Sequence, residues 1–220
     1  MNTDDTFYRR RLPHWEKPDA IYFITFRGAG SLPKNLSADA EVELKSTAQR
    51  LKDQGRPPSE YELERTLYCE KLLDDDRTNP LLARPELAAL VRDVLLFHNG
   101  KMYDLLAWCI MPNHVHLLLK PLSWNAAAPA VGVPAATAGD DGVPSLAEIM
   151  HSIKSYSAKE AKKRGLVAGN LWQREYFDRW VRNDMELNRY IEYIRQNPVV
   201  AGLVRSPEDY PWLGTPPSRW

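Results

Sequence analysis

Two apolar runs decide the fold: YDLLAWCIM at 103–111 and HVHLLLK at 114–120, separated only by Pro112 and Asn113. Each run has the length of a single buried strand, and aromatic and branched aliphatic residues favour that conformation. Proline and asparagine are turn-forming residues. The pattern predicts two neighbouring strands, buried and antiparallel, joined by a tight turn.

A further strand and a helix are predicted on the N-terminal side of this pair. The segment AIYFITFR (20–27) is rich in β-branched and aromatic residues and is followed by a glycine-containing turn, which predicts a strand. The segment PELAALVRDVLLF (85–97) has proline at its start, apolar residues at helical spacing and an Asn-Gly pair after it. These features predict a helix.

A second helix and a fourth strand follow on the C-terminal side. In the segment 145–165, Ser145 and Glu148 have the spacing of a capping box, and Gly165 is a suitable C-terminal stop. The segment LWQREYFDRWV (171–181) predicts a strand or an irregular extended stretch.

The last helix is predicted to begin at Asn183, with Glu186 three residues later as a capping partner. It is expected to end near Asn197, because Pro198 disfavours the helical conformation at the residue before it.

The element order resembles a ferredoxin-like α+β sandwich, an antiparallel sheet with helices on its faces. We expect one domain over 1–220, with an added C-terminal helix. The acidic stretch 35–80 is expected to be a helical insertion, with helices at 38–54 and 59–73. The Ala-, Pro- and Gly-rich stretch 125–143 is expected to be a flexible linker.

Charge is balanced overall but unevenly distributed. The chain has 29 Lys and Arg and 29 Asp and Glu, which excludes binding of nucleic acid by bulk charge alone. Residues 35–80 carry a net charge of −4, whereas 145–205 carry +4 and 1–34 carry +2. This distribution is compatible with a local phosphate-binding face, and equally with ordinary solvated helix surfaces.

Cys69 and Cys109, the two cysteines of the chain, are too few for a disulfide framework or a cysteine zinc site. No apolar run approaches the roughly 18 residues that a membrane span needs. The N-terminus lacks the apolar region of a secretory signal. These features predict a cytoplasmic protein.

A pair of histidines lies on the second strand of the central pair. Because side chains alternate faces along a strand, His114 and His116 project to one side, and Val115, Leu117 and Leu119 to the other. Two imidazoles on one face can chelate a metal ion. The alternative is an ordinary surface pair.

The last helix carries a second candidate set. Tyr193 and Asn197 are four residues apart and therefore share a helical face, and Tyr190 lies one turn earlier. A phenol and an amide oxygen could meet at one point in space. The alternative is that these tyrosines are packing residues.

Several segments resemble known transposases. The segment AWCIMPNHVHLLLKP (107–121) resembles the HUH motif, two histidines flanking a hydrophobic residue, of single-tyrosine transposases from small bacterial insertion sequences. Five others resemble the subgroup of REP-associated tyrosine transposases, in the order of that family: RRRLPHW (9–15), SIKSYSAKEAKKRG (152–165), LWQREYFDRWVRN (171–183), YIEYIRQNPVVAGLV (190–204) and DYPWLG (209–214).

The resemblance implies a role for each matching residue. His114 and His116 would bind a divalent metal ion, Mg²⁺ or Mn²⁺, and Tyr193 would be the nucleophile. Asn197 matches the position of a third, amide ligand, with Gln196 as the alternative. The family product is a 5′-phosphotyrosine and a free 3′-hydroxyl.

The chemistry suits these residue types. A phenol has a pKa of about 10, so it attacks phosphorus only where the site stabilises the phenolate, as a nearby cation does. Mn²⁺ suits imidazole ligands better than Mg²⁺ does. Tyr190 and Tyr156 are rival nucleophiles that fit the motif less well.

The resemblance also implies a partner, single-stranded DNA beside hairpins of repetitive extragenic palindromes (REP). Expected phosphate contacts and stacking residues lie in three segments: Arg9, Arg10 and Arg11; Lys154, Lys159, Lys162, Lys163 and Arg164; and Trp172, Arg174 and Arg179. We expect a monomer or a homodimer in the bacterial cytoplasm, associated with the nucleoid and not with a membrane. The alternative function is that of a domesticated hairpin-binding protein without cleavage activity.

Overall fold

The computed structural model describes residues 6–9, 13–17, 19–31, 79–123 and 142–215, together with five residues between 46 and 54. In these ranges the strands are β1 (Thr6–Arg9), β2 (Pro13–Glu16), β3 (Tyr22–Gly28), β4 (Tyr103–Ile110), β5 (His114–Pro121), β6 (Trp172–Trp180) and β7 (Leu213–Gly214). The helices are α1 (Pro85–His98), α2 (Leu146–Lys163) and α3 (Asp184–Val200). The predicted insertion at 35–80 and linker at 125–143 lie almost wholly outside the described residues.

A five-stranded antiparallel sheet forms the centre of the molecule, in the order β6-β3-β5-β4-β7, while β1 and β2 form a separate hairpin. The predicted antiparallel pairing of β4 with β5 is confirmed, with Ile110 opposite Val115 at the turn. In the pairing of β3 with β5, Thr25 lies opposite His116 and Arg27 opposite His114. Residues that lie opposite one another project to the same face of a sheet, so these four side chains share one face.

Helices cover both faces of the sheet. On one face, α1 and α2 pack against a large apolar cluster that includes Val115, Leu117 and Leu119. On the other face, α3 packs through Tyr190 and Ile194 against a smaller cluster. The mixed α and β architecture predicted from the sequence is confirmed, and α3 covers the face to which the histidines project.

Helix ends follow the predicted signals at both ends of α2 and at the start of α3, where Asn183 is the cap, but not at the C-terminal end of α3. Ser145 and Glu148 form the capping box, and Gly165 after the helix has a φ of +67°. The predicted end of the last helix near Asn197 is wrong, because α3 runs through Pro198 to Val200. Proline removes a single backbone donor, and the next turn still closes, with the amide of Ala201 donating to the carbonyl of Asn197.

Within the part of the chain that the structure describes, no helix combines the length and the apolar character needed to cross a bilayer.

Candidate active site

The two histidines of β5 meet beneath α3. Both His114 and His116 are 0% exposed. Their Nε2 atoms lie 2.8 Å apart, and the ring planes are inclined at 74°. The two histidines therefore share one face, as strand alternation predicted. The alternative, an ordinary surface pair, is wrong because both rings are buried. Two ring nitrogens converge on one buried point.

Each imidazole is held at its other nitrogen by a neutral side chain. Nδ1 of His114 lies 2.6 Å from Oδ1 of Asn113, and Nδ1 of His116 lies 2.9 Å from Oγ1 of Thr25. Thr25 and Asn113 are themselves buried. These contacts fix the orientation of both rings and leave the two Nε2 atoms facing each other, as outer partners do for metal-binding histidines.

Burial keeps both imidazoles neutral. It lowers the pKa of His114 to about 3, with a smaller effect from the positive charge of Arg27. Burial also lowers the pKa of His116 well below its ordinary value, with His114 as a secondary cause. Neutral imidazole is the form that binds metal ions, so the pair is ready to act as a ligand at physiological pH.

Tyr193 lies beside the histidine pair. Its ring lies 5.4 Å from the ring of His116, edge-on at 75°, and 5.9 Å from that of Phe23. Tyr190 instead stacks on Phe23 at 4.4 Å, and burial raises its pKa to about 12. Tyr156, on α2, is 58% exposed. A single chain therefore places the half-buried ring of Tyr193 against its own histidine pair.

Asn197 lies one helical turn after Tyr193 and is 2% exposed. Among the described residues, its Oδ1 has no hydrogen-bond partner. A buried amide oxygen without a partner is costly and calls for an explanation, and a metal ion would supply one. The alternative ligand, Gln196, donates instead from Nε2 to Glu192 at the exposed side of α3.

The two histidines offer neutral nitrogen donors, and the buried amide of Asn197 offers a neutral oxygen donor. No cluster of three or more His, Cys, Asp or Glu side chains suited to a metal ion occurs in the described ranges. The set therefore differs from a cysteine zinc centre or a carboxylate cage. Its composition is compatible with Mn²⁺ and, less favourably, with Mg²⁺.

Some of the predicted DNA contacts lie at the surface. The side chains of Arg174 and of four residues near the C-terminal end of α2 are exposed: Lys159, Lys162, Lys163 and Arg164. Arg164 and Lys163 both pair with Glu160. Lys154 is half-buried and donates to the backbone carbonyls of Arg174 and Glu175, so it ties α2 to β6.

Two of the predicted DNA contacts, Trp172 and Arg179, are buried in the structure. Trp172 is 8% exposed, belongs to the larger apolar cluster and donates from Nε1 to Ser157. Arg179 is 7% exposed and pairs with Glu186 at 2.8 Å. Both side chains make interior contacts and expose little surface, so their predicted roles in DNA binding stay predictions. The side chains of Arg9, Arg10 and Arg11 lie outside the described residues.

Three residues at the site were not identified from the sequence: Thr25, Arg27 and Asn113. Thr25 and Arg27 lie on the same face of β3 as Phe23, so two polar residues at alternate positions of a mostly apolar strand were the available signal. Asn113 was assigned only a turn-forming role. Their partners are set by strand pairing, which a single sequence does not reveal.

Fold and site together define a class of protein, an α+β domain with a buried histidine pair and a tyrosine helix over one sheet. No family model matches the chain. It is similar to the REP-associated tyrosine transposase of Escherichia coli K12, with 25% identity over 122 residues, which are 54% of this chain and 58% of that protein. A Haemophilus influenzae protein that is also named for the REP-associated tyrosine transposases is 26% identical over 110 residues, which are 50% of this chain and 57% of that protein.

The chain thus spans a little over half the length of the curated relatives that it matches. Among solved structures, its fold is similar to that of a REP-associated tyrosine transposase bound to a REP hairpin, with a TM-score of 0.51 and 16% identity. That match covers 94% of this chain and 80% of the other. The resemblance to the REP-associated tyrosine transposases is confirmed in sequence, and the structural match supports the fold.

Proposed function

We propose that this chain is a REP-associated tyrosine transposase, a metal-dependent single-strand DNA endonuclease and strand transferase that cuts beside REP-type hairpins. The observation that carries the proposal is the position of Tyr193, 5.4 Å ring to ring from His116, whose Nε2 faces that of His114. A nucleophile beside a pair of neutral metal ligands is the arrangement that phosphoryl transfer through a covalent intermediate needs.

The metal site consists of Nε2 of His114, Nε2 of His116 and Oδ1 of Asn197. Mg²⁺ or Mn²⁺ bound there supplies Lewis-acid polarisation of the scissile phosphate. Arg27 lies opposite His114 on β3 and projects to the same face. Its guanidinium adds a positive charge suited to a phosphate oxygen.

In the reaction, the oxygen of Tyr193 forms a bond to phosphorus while the bond from phosphorus to the 3′-oxygen breaks. The phenolic proton is lost to water, and the leaving 3′-oxygen takes up a proton. The products are a 5′-phosphotyrosine and a free 3′-hydroxyl. Because the covalent link keeps the energy of the phosphodiester, rejoining to another strand needs no external energy source.

Two structural proposals accompany this function. The order β6-β3-β5-β4 supports a ferredoxin-like domain. In that fold the first and third of four strands lie at the centre of the sheet, and here those strands are β3 and β5. The contact between Tyr193 and His116 of one chain supports an active site completed in cis. The exposed basic residues of α2, together with Arg174, are the proposed contacts with the hairpin DNA.

The test is formation of a covalent adduct with an oligonucleotide that carries a REP hairpin and its single-stranded flank. We expect an adduct with Mg²⁺ or Mn²⁺, none with a chelator, and none in Tyr193→Phe, while that variant still binds the hairpin. Tyr190→Phe is the matched control and should form the adduct. Tight hairpin binding by the unaltered protein, indifferent to chelator and without any cleaved product, would contradict the proposal in favour of a DNA-binding protein without cleavage activity.

A further inference from the structure

Four buried side chains form one chain of polar contacts through the site. Thr25 Oγ1 lies 2.9 Å from Nδ1 of His116, whose Nε2 lies 2.8 Å from Nε2 of His114. Nδ1 of His114 lies 2.6 Å from Oδ1 of Asn113. All four residues are at most 4% exposed, so bulk water does not compete for these contacts.

The protons of this chain can be placed one by one. A neutral imidazole carries one N–H and one lone pair, and an amide oxygen only accepts. Asn113 therefore requires the proton of His114 to be on Nδ1, which leaves a lone pair on Nε2. The 2.8 Å contact between the rings then requires His116 to donate from Nε2. Its Nδ1 accepts from the hydroxyl of Thr25.

A metal ion between the rings requires a different arrangement. Both Nε2 atoms must then present lone pairs, so the proton of His116 must be on Nδ1, and Thr25 must accept instead of donate. A hydroxyl can take either role by rotating, whereas a carbonyl or a carboxylate can only accept. The hydroxyl of Thr25, opposite His116, therefore suits the ring both with and without a metal ion.

We propose that Thr25 is a positioning residue that lets His116 change tautomer when a metal ion binds, while Asn113 keeps His114 in one tautomer throughout. This inference rests on the metal site of the proposed function. The ring of His116 keeps one proton: the proton on Nε2 is lost to water as the ion enters, and one is taken up from water at Nδ1. The charge of the pair does not change.

The test is two-bond ¹H–¹⁵N correlation NMR on protein with ¹⁵N-labelled histidine, which distinguishes the two tautomers of each ring. In the metal-free protein we expect His114 protonated at Nδ1 and His116 at Nε2. With Zn²⁺ as a diamagnetic probe, we expect both rings to be protonated at Nδ1. Protonation of His116 at Nδ1 in both samples, or of His114 at Nε2 in the metal-free one, would overturn the proposal.

Two variants separate this role from a structural one. Thr25→Val keeps the shape of the side chain but removes the hydroxyl, and we expect Mn²⁺ affinity, measured by electron paramagnetic resonance, to fall about 10–100-fold. Thr25→Ser keeps the hydroxyl and should bind Mn²⁺ within about threefold of the unaltered protein, given that only a methyl group is removed. Equal Mn²⁺ affinity in all three folded proteins, checked by their thermal unfolding, would contradict the role of Thr25.

The outcomes distinguish this inference from the proposed function. Metal binding with an unchanged His116 tautomer would overturn the inference alone. Failure of the unaltered protein to bind Mn²⁺ or Zn²⁺ at all would overturn both. Metal binding with the expected change of tautomer, but without any DNA adduct, would support the inference and contradict the proposed reaction.

Discussion

Tyr190 and Tyr193 lie one turn apart on α3, but their rings have different surroundings. Tyr190 is 4% exposed, stacks on Phe23, and its hydroxyl has no hydrogen-bond partner among the described residues. Tyr193 is half-buried and stands edge-on to His116. We therefore assign packing to the first tyrosine and propose chemistry for the second.

Replacing Tyr190 tests the packing assignment. A buried hydroxyl without a partner carries a desolvation cost of about 1–3 kcal/mol, so Tyr190→Phe should leave the free energy of unfolding unchanged or raise it by up to about that amount. Urea denaturation measures the change. A decrease of more than about 1 kcal/mol would contradict the assignment, because it would mean that the hydroxyl makes a stabilising contact.

At the scale of single residues, strand alternation was enough to predict that His114 and His116 share a face. It could not predict that both rings are fully buried, since that depends on α3 packing over β5. Nor could it identify Thr25, whose contact with His116 joins residues 91 positions apart in the chain. Such a contact follows from strand register, which is a tertiary property.

At the scale of elements, charged and polar contacts hold the N-terminal end of α3 against β6. Glu186 accepts from Nε and Nη2 of Arg179 and from the backbone amide of Arg182. Asn183 caps the helix by accepting from the amide of Glu186. These contacts fix the helix that carries Tyr193 relative to the sheet that carries the histidines.

Breaking this ion pair should destabilise the protein. The side chains of Arg179 and Glu186 are 7% and 14% exposed, and removing one partner of a buried pair leaves an uncompensated charge. We expect Glu186→Gln to lower the free energy of unfolding by about 3 kcal/mol, measured by urea denaturation. The control is Glu192→Gln, in an exposed pair with Arg195 on the same helix, which should change it by less than about 0.5 kcal/mol. Equal effects of the two substitutions would contradict the fastening role.

The end of α3 shows where local rules are insufficient. The rule that a residue before proline avoids the helical conformation predicted an end near Asn197, whereas the helix continues to Val200. The packing of Tyr190 and Ile194 on the sheet outweighs one missing hydrogen bond. As a result, Asn197 remains helical and keeps its position one turn after Tyr193.

At the scale of the whole molecule, the C-terminal segment completes one edge of the sheet. β7 pairs with β4, and Tyr210 donates its hydroxyl to the carbonyl of Ile110. A Cβ atom at Gly214 would overlap three atoms of the indole ring of Trp108. The segment can therefore lie along β4 only because residue 214 has no side chain.

Adding a methyl group at residue 214 should destabilise the packing of β7 against β4. We expect Gly214→Ala to lower the free energy of unfolding by about 1–3 kcal/mol, the usual cost of overpacking. Gly169→Ala is the control, because a Cβ there meets nothing within 4 Å. Urea denaturation followed by tryptophan fluorescence compares the two. A Gly214→Ala protein as stable as Gly169→Ala would contradict the close packing of this edge.

Charge is also a property of the whole molecule. The formal net charge is zero because the excess of −4 at 35–80 offsets the excesses of basic residues elsewhere in the chain. A protein of this kind cannot hold DNA through bulk attraction, so any binding must come from a local basic surface. The exposed cations of α2 are the largest described group of this kind.

The salt dependence of hairpin binding tests this surface. We expect the double variant Lys159→Gln, Lys162→Gln to bind the hairpin more weakly. The slope of log K against log salt concentration should become shallower by about 1 for each phosphate that the protein no longer neutralises. Fluorescence anisotropy over a range of KCl concentrations gives the slope. Lys101→Gln, in the turn after α1, is the control and should leave the slope unchanged. An unchanged slope in the double variant would exclude α2 from the DNA interface.

The most direct test of the central proposal is to locate the covalent bond itself. The adduct, trimmed by nuclease and digested with trypsin, yields the peptide YIEYIR (190–195), which contains both Tyr190 and Tyr193. Tandem mass spectrometry separates the two, since fragment ions that break the peptide between them carry the added nucleotide on one side only. We predict the phosphodiester on Tyr193. A nucleotide on Tyr190, on Tyr156 or on a serine would contradict the proposed active site.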